Sequence, residues 1–75
     1  MKLAQYLSKA KMSQTAFAQS MGTSQAVINR YVRNERFPDP ETIERIFLAT
    51  NRKVAVSDWY EQAAEFRASK AEQAA

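Results

Sequence analysis

Apolar residues recur at helical spacing along this chain, and short polar segments separate the apolar stretches. Leu3, Leu7 and Ala10 share one helical face, and the same spacing recurs between residues 43 and 50. The pattern predicts an all-α domain of five helices, near residues 2–11, 14–21, 25–33 and 40–50 and from Trp59 onward.

Residues that commonly begin and end helices stand at the expected boundaries. Ser13 and Ser24 (with Thr23 as a weaker alternative) can accept a hydrogen bond from a free N–H of the helix that follows. Asp39-Pro40 predicts a cap followed by proline at the first helical position. Asn34 tolerates the left-handed conformation that ends many helices.

The segment between the fourth and fifth helices is harder to interpret. Val54-Ala55-Val56 is too short for a strand and is expected to pack as an extended connector, with Ser57 or Asp58 capping the fifth helix. After Arg67 the chain contains only Ala, Ser, Lys, Glu and Gln, a composition that favours a frayed helix end. We therefore expect one domain over residues 1–66 and a frayed tail over residues 67–75.

The segment from residue 14 to residue 33 has the features of two helices joined by a tight turn. Gly22, the only glycine, can adopt a positive φ without steric cost, and Ala18 allows the second helix to approach closely. Phe17 and Met21 would face inward from the first helix, and Val27 or Ile28 together with Tyr31 from the second. The outward face of the second helix then carries Gln25, Ala26, Asn29 and Arg30, side chains suited to the edges of DNA bases.

The charge distribution supports a polyanionic partner. Residues 1–38 hold six basic residues and one acidic residue, a balance of +5, whereas residues 39–75 hold five basic and seven acidic residues, a balance of −2. A solubilising surface with chance clustering would also produce such an asymmetry. The basic half coincides with the two-helix segment, and this coincidence favours DNA.

The composition argues against several other classes of function. The chain has no cysteine and no histidine, which excludes disulfides and the usual zinc sites, and it has no glycine-rich phosphate loop. We expect no enzymatic activity, no cofactor, no metal and no small-molecule ligand. With no apolar run of about 20 residues and no signal-peptide pattern, we expect an intracellular, cytoplasmic protein.

The order of these elements resembles the phage repressor and Cro-like helix-turn-helix family, also called XRE or lambda-repressor-like. The resemblance covers roughly residues 1–60. Asn34 stands where glycine is common in the family, and Val32 where glutamate is common. The residues that carry the resemblance are Met12-Ser13-Gln14-Thr15-Ala16-Phe17-Ala18, Met21-Gly22-Thr23-Ser24-Gln25, Ile28-Asn29-Arg30-Tyr31 and Pro38-Asp39-Pro40-Glu41-Thr42-Ile43.

This resemblance implies a recognition helix in the major groove, with the N-terminal half of the third helix against the bases. The residues that would read bases are Gln25, Ala26, Asn29 and Arg30. The residues that would contact phosphates are Gln14, Ser24, Arg33, Asn34 and Arg36. The alternative for Arg33 and Arg36 is a purely solubilising role in a loop, and Ser24 is expected to act first as a helix cap.

The fifth helix has two interpretations. In the simpler interpretation, Trp59 closes the core. Alternatively, Tyr60, Ala63 and Phe66 form a symmetric contact between two copies on DNA.

The sequence thus predicts a transcriptional regulator, most simply a Cro-like or short phage-type repressor that binds an inverted-repeat operator as a homodimer. The rival hypothesis is a helix-turn-helix antitoxin or adaptor that binds a protein partner through its C-terminal helix.

Overall fold

The computed structural model describes the backbone of residues 1–74 and the side chains of residues 1–69. Within this range it contains five helices and no strand, which confirms the all-α expectation. The helices are α1 (Leu3–Ala10), α2 (Gln14–Met21), α3 (Gln25–Val32), α4 (Pro40–Ala49) and α5 (Val56–Ala74).

The predicted helix starts are confirmed at three positions. The Ser13 hydroxyl accepts a hydrogen bond from the Ala16 N–H at 3.0 Å, and the Ser24 hydroxyl accepts one from the Val27 N–H at 3.3 Å. Asp39 Oδ1 accepts from the Thr42 N–H at 2.8 Å. Hydrogen bonds from the side chain of Thr42 and then from its N–H lower the pKa of Asp39, because they favour the charged carboxylate.

The start of α5 differs from the prediction. The helix begins at Val56 rather than Trp59, so residues 54–56 do not form one extended connector, and neither Ser57 nor Asp58 precedes the helix as its cap. Asp58 acts from inside the first turn, where its carboxylate accepts the Ala55 N–H at 2.8 Å. The acid that was expected before the helix therefore stabilises its first turn from within.

The C-terminal segment extends beyond the expected domain end at residue 66. Helix α5 continues to Ala74, while residue 75 and the side chains of residues 70–74 lie outside the described part of the chain. The domain boundary at residue 66 and the frayed tail over residues 67–75 stay predictions.

A single apolar core joins all five helices. Helix α2 packs against α3 and α4, and α4 packs against α5. Trp59 is buried and meets Tyr31 edge to face, with ring centroids 6.1 Å apart, so it closes the core over α3. The buried apolar residues are Leu3, Leu7, Phe17, Ala18, Met21, Ile28, Tyr31, Ile43, Ile46, Val54 and Trp59.

The beginning of the chain is fastened to α5. The α-amino group of Met1 forms a 2.8 Å ion pair with Asp58 and donates to the Lys53 carbonyl oxygen at 3.0 Å. Lys2 Nζ pairs with Glu65 at 2.7 Å. These contacts hold the start of α1 against the first half of α5. The same half of α5 packs against α3 through the contact between Trp59 and Tyr31.

Candidate nucleic-acid interface

The turn between α2 and α3 follows the local chemistry of its residues. Gly22 ends α2 with φ at 71°, in the left-handed region that favours glycine. The Thr23 N–H donates to the Ala18 carbonyl oxygen at 2.9 Å, which closes the turn. Only residues 22–24 separate the two helices, and hydrogen bonds from α3 to Gln14 show that the N-terminal end of α2 also lies close to the N-terminal half of α3.

Three of the predicted DNA-contacting side chains form one hydrogen-bonded cluster at this place. Gln14 Oε1 accepts from Gln25 Nε2 at 3.0 Å and from Asn29 Nδ2 at 3.2 Å. Gln14 is the first residue of α2 and Gln25 the first residue of α3. The shared acceptor fixes the orientation of both amides on α3, and each keeps an oxygen and a second N–H for an outside partner.

The four predicted base-reading residues lie on one face of α3. Gln25, Ala26 and Arg30 are exposed, while Asn29 is half-buried beneath Gln14. Ile28 and Tyr31 occupy the opposite face and are buried. The structure thus brings together a donor-and-acceptor amide, a methyl group and a guanidinium on a single exposed surface. The roles of these side chains in base reading stay predictions.

The predicted phosphate-contacting residues fall into two groups. Gln14 and Ser24 stand at the N-terminal ends of α2 and α3, where free N–H groups and the helix dipole favour an anion. Arg33, Asn34 and Arg36 lie at the other end of α3. A phosphate strand could therefore be contacted on either side of the base-reading face.

Two side chains of the second group, those of Arg33 and Asn34, make contacts within the chain. Arg33 pairs with Glu35 at 3.3 Å, and the side chains remain 64% and 48% exposed, so this ion pair contributes little to stability. Asn34 has φ at 59°, which confirms its left-handed conformation. Its Oδ1 lies 3.5 Å from Gln62 Nε2, so its side chain is directed partly toward α5. Arg36 is exposed and its charge helps to lower the pKa of Asp39.

Two supporting contacts could not be expected from local sequence. Arg45 on α4 donates to the Met21 carbonyl oxygen at 2.6 Å, and Gln62 on α5 donates to the Tyr31 carbonyl oxygen at 2.9 Å. Each satisfies a carbonyl group in the last turn of a helix of the turn motif. Together they fix α2 and α3 relative to the remainder of the domain. Arg45 and Gln62 are two among several polar residues on α4 and α5, so the sequence does not single them out.

The residues proposed for a contact between copies differ in accessibility. Tyr60 is 61% exposed and its ring lies 5.3 Å from that of Phe37. Ala63 is half-buried, and Phe66 is 38% exposed. Tyr60 is therefore the most accessible of the three to a partner.

The fold and this surface define a helix-turn-helix DNA-binding domain. The helix-turn-helix family model HTH_3, which describes XRE-family domains of the lambda repressor and Cro-like type, matches residues 3–56. The chain belongs to this family. No curated protein and no solved structure matches the chain.

Two further observations concern the described part of the chain. No helix there has the length and apolar character needed to cross a membrane. Within the same range, no three acidic, cysteine or histidine side chains come together as a metal site would require.

Proposed function

We propose that this protein is a sequence-specific transcriptional regulator that places α3 in the major groove of an inverted-repeat operator. The observation that carries the proposal is the Gln14–Gln25–Asn29 cluster, because it orients two amides of α3 before DNA arrives. Side chains held in one arrangement lose less entropy on binding than free ones.

The chemistry of the face supports reading of particular bases. An amide that presents an oxygen and an N–H matches N6 and N7 of adenine, and the Arg30 guanidinium matches O6 and N7 of guanine. Ala26 presents a methyl group suited to contact with thymine. We assign Gln25 and Arg30 as the main determinants of sequence preference, with Asn29 and Ala26 beside them.

Phosphate contacts flank this face. Gln14 and Ser24 bind the phosphate strand next to the N-terminal end of α3. Arg33, Asn34 and Arg36 bind the phosphate strand next to its C-terminal end.

Two copies occupy two half-sites about 34–36 Å apart, and Tyr60, Ala63 and Phe66 on α5 lie on the side directed toward the second copy. The regulator acts as a short phage-type repressor, by occupying DNA that polymerase needs, in the cytoplasm of a bacterial cell or phage-infected host.

A matched pair of charge variants tests the proposal. Gln25→Glu places a carboxylate on the proposed reading face, whereas Ser57→Glu adds the same charge in the first turn of α5, which is not part of that face. On a duplex obtained by selection for binding, Gln25→Glu should weaken binding by at least about tenfold, the loss of one good base contact. Ser57→Glu should bind within about twofold of the unmodified protein. Equal losses in both variants would contradict the assignment of α3 as the reading helix.

A further inference from the structure

A groove lies between the α3–α4 loop, α4 and the start of α5, apart from the proposed base-reading face of α3. Its volume is about 730 Å³, which lies in the range of pockets that hold small organic molecules. Three aromatic rings and two carboxylates are among the ten residues that line it. The expectation of no small-molecule ligand was drawn from composition, which does not show a groove built from three separate segments.

Aromatic rings form part of the wall of the groove. Phe37 from the loop and Tyr60 from α5 have ring centroids 5.3 Å apart and ring planes tilted by 49°. Phe37 is 44% exposed and Tyr60 61%, so much of both rings is accessible to a ligand. Phe47 from α4 supplies the third ring. Aromatic faces attract cations, and the attraction grows when the cation has lost its water.

Both charged residues that line the groove are acids, Asp39 and Glu44. Asp39 is partly compensated, because it accepts a hydrogen bond at the start of α4 and is attracted to Arg36. Glu44 forms neither a hydrogen bond nor an ion pair with any residue that the structure describes. The positive end of the α4 dipole, equivalent to about half a unit charge, offsets only part of the two carboxylates. The groove therefore favours a positive charge.

We propose that this groove binds a small organic cation with an apolar body, such as a quaternary ammonium or phosphonium ion. The apolar body replaces water on Phe37, Phe47 and Tyr60, and the positive charge lies beside Glu44. A neutral apolar molecule would take water from Glu44 without replacing it by a charge, and an anion would be repelled by both carboxylates. Since the site does not include the base-reading face of α3, binding of the cation does not require DNA.

The test uses two probes of similar size and shape and opposite charge, tetraphenylphosphonium and tetraphenylborate, in a sodium buffer without DNA. The whole protein has a net charge of +3, so a general charge effect would favour tetraphenylborate. The groove predicts the opposite preference, with tetraphenylphosphonium bound at least about tenfold more tightly. Amide chemical shifts followed by NMR give both affinities and locate the probes. Tetraphenylphosphonium should shift the amides of residues 37–47 and 55–60.

A matched pair of variants tests the part that Glu44 plays. Glu44→Gln and Glu41→Gln each remove one negative charge from α4, but Glu41 is exposed and does not line the groove. Glu44→Gln should weaken binding of tetraphenylphosphonium about fivefold, and Glu41→Gln should leave it within about twofold of the unmodified protein. Urea unfolding confirms that both variants are folded.

Failure of tetraphenylphosphonium to bind would overturn the proposal, as would equal or tighter binding of tetraphenylborate. Equal losses of affinity in Glu44→Gln and Glu41→Gln would also overturn it, because the attraction would then not come from the groove. These measurements contain no DNA, so their outcome is independent of whether α3 reads a DNA sequence. A failure of the proposed function would be seen only in the DNA-binding experiments.

Discussion

The side-chain amide of Gln62 donates a 2.9 Å hydrogen bond to the carbonyl oxygen of Tyr31, and so joins α5 to the last turn of α3. The two residues are 31 positions apart in the chain. The same carbonyl oxygen also accepts from the Asn34 N–H at 3.2 Å. The end of the proposed recognition helix is therefore positioned by a side chain from the C-terminal helix.

Gln62→Ala should lower the free energy of unfolding by about 0.5–1.5 kcal/mol, because one partly buried hydrogen bond is lost and the Asn34 N–H still satisfies the carbonyl oxygen. Gln19→Ala is the control, since Gln19 is an exposed glutamine in α2. Urea unfolding followed by circular dichroism measures both. A loss no greater than that of the control would show that Gln62 does not support α3.

The same contact determines where the chain can be shortened. A protein that ends at residue 66 keeps both Gln62 and the Lys2–Glu65 ion pair, and should retain most of its stability and DNA binding. A protein that ends at residue 60 loses both and should unfold more readily. Equal stability of the two shortened chains, measured by thermal unfolding, would contradict a domain boundary near residue 66.

The hydrogen bond between Gln14 and Gln25 predicts non-additive effects on DNA binding. Gln14→Ala removes the acceptor that orients Gln25, so the single variants and the double variant should lose similar affinity for the selected duplex. A double-mutant cycle should give a coupling energy of about 0.5–3 kcal/mol. The cycle is measured by fluorescence anisotropy, with the Gln14–Arg30 pair as the comparison. Strict additivity for Gln14 and Gln25 would show that the cluster has no part in reading.

Arg30 and Arg33 should differ in what they contribute to binding. Arg30→Ala should relax the preference for the selected duplex over random DNA by about 1–3 kcal/mol, because a base contact is lost. Arg33→Ala should weaken binding to all duplexes about equally and reduce the dependence of log affinity on log salt by about one. Titrations at several salt concentrations measure both quantities. Identical loss on specific and random DNA in both variants would refute this division of roles.

Much of this arrangement could be predicted because its causes are local. Ser13, Ser24 and Asp39 cap the helices that begin directly after them. Gly22 supplies the left-handed backbone conformation that the turn after α2 needs. The predicted start of α5 at Trp59 was wrong. Valine at position 56 favours extended structure locally, because its side chain is branched at Cβ. Asp58 stabilises the first turn from within, and this effect outweighed that preference.

The parts that could not be predicted depend on contacts between distant segments. Arg45 reaches Met21 across 24 positions, and Phe37 meets Tyr60 across the whole of α4. Neither pair has a spacing that indicates contact before the packing of α4 and α5 is known.

Asp58 should make stability depend on pH in the acid range. Burial raises its pKa, but hydrogen bonds from the Met1 α-amino group and the Ala55 N–H lower it by more, so the folded pKa lies below the ordinary value of 3.8. Since the folded pKa is depressed, the stabilisation is complete above the unfolded value and is lost as the pH falls through the folded pKa.

Asp58→Asn should therefore be less stable than the unmodified protein near neutral pH, and the difference should shrink as the pH falls below 3.8. Glu44→Gln is the control, because it removes one negative charge that makes no contact with α1 among the described residues. Urea unfolding across the acid range measures the difference. A constant difference between Asp58→Asn and the unmodified protein at every pH would contradict the assignment.

The central claim is that α3 reads a specific DNA sequence, and selection of bound duplexes from a random pool at near-physiological salt tests it most directly. The account predicts enrichment of an inverted repeat whose half-sites contain an adenine facing Gln25 and a guanine facing Arg30. Repeating the selection with Arg30→Ala should remove the preference at the guanine alone. Salt-sensitive retention of DNA with no enriched motif would contradict the claim, and would leave the basic surface as a general anchor for DNA.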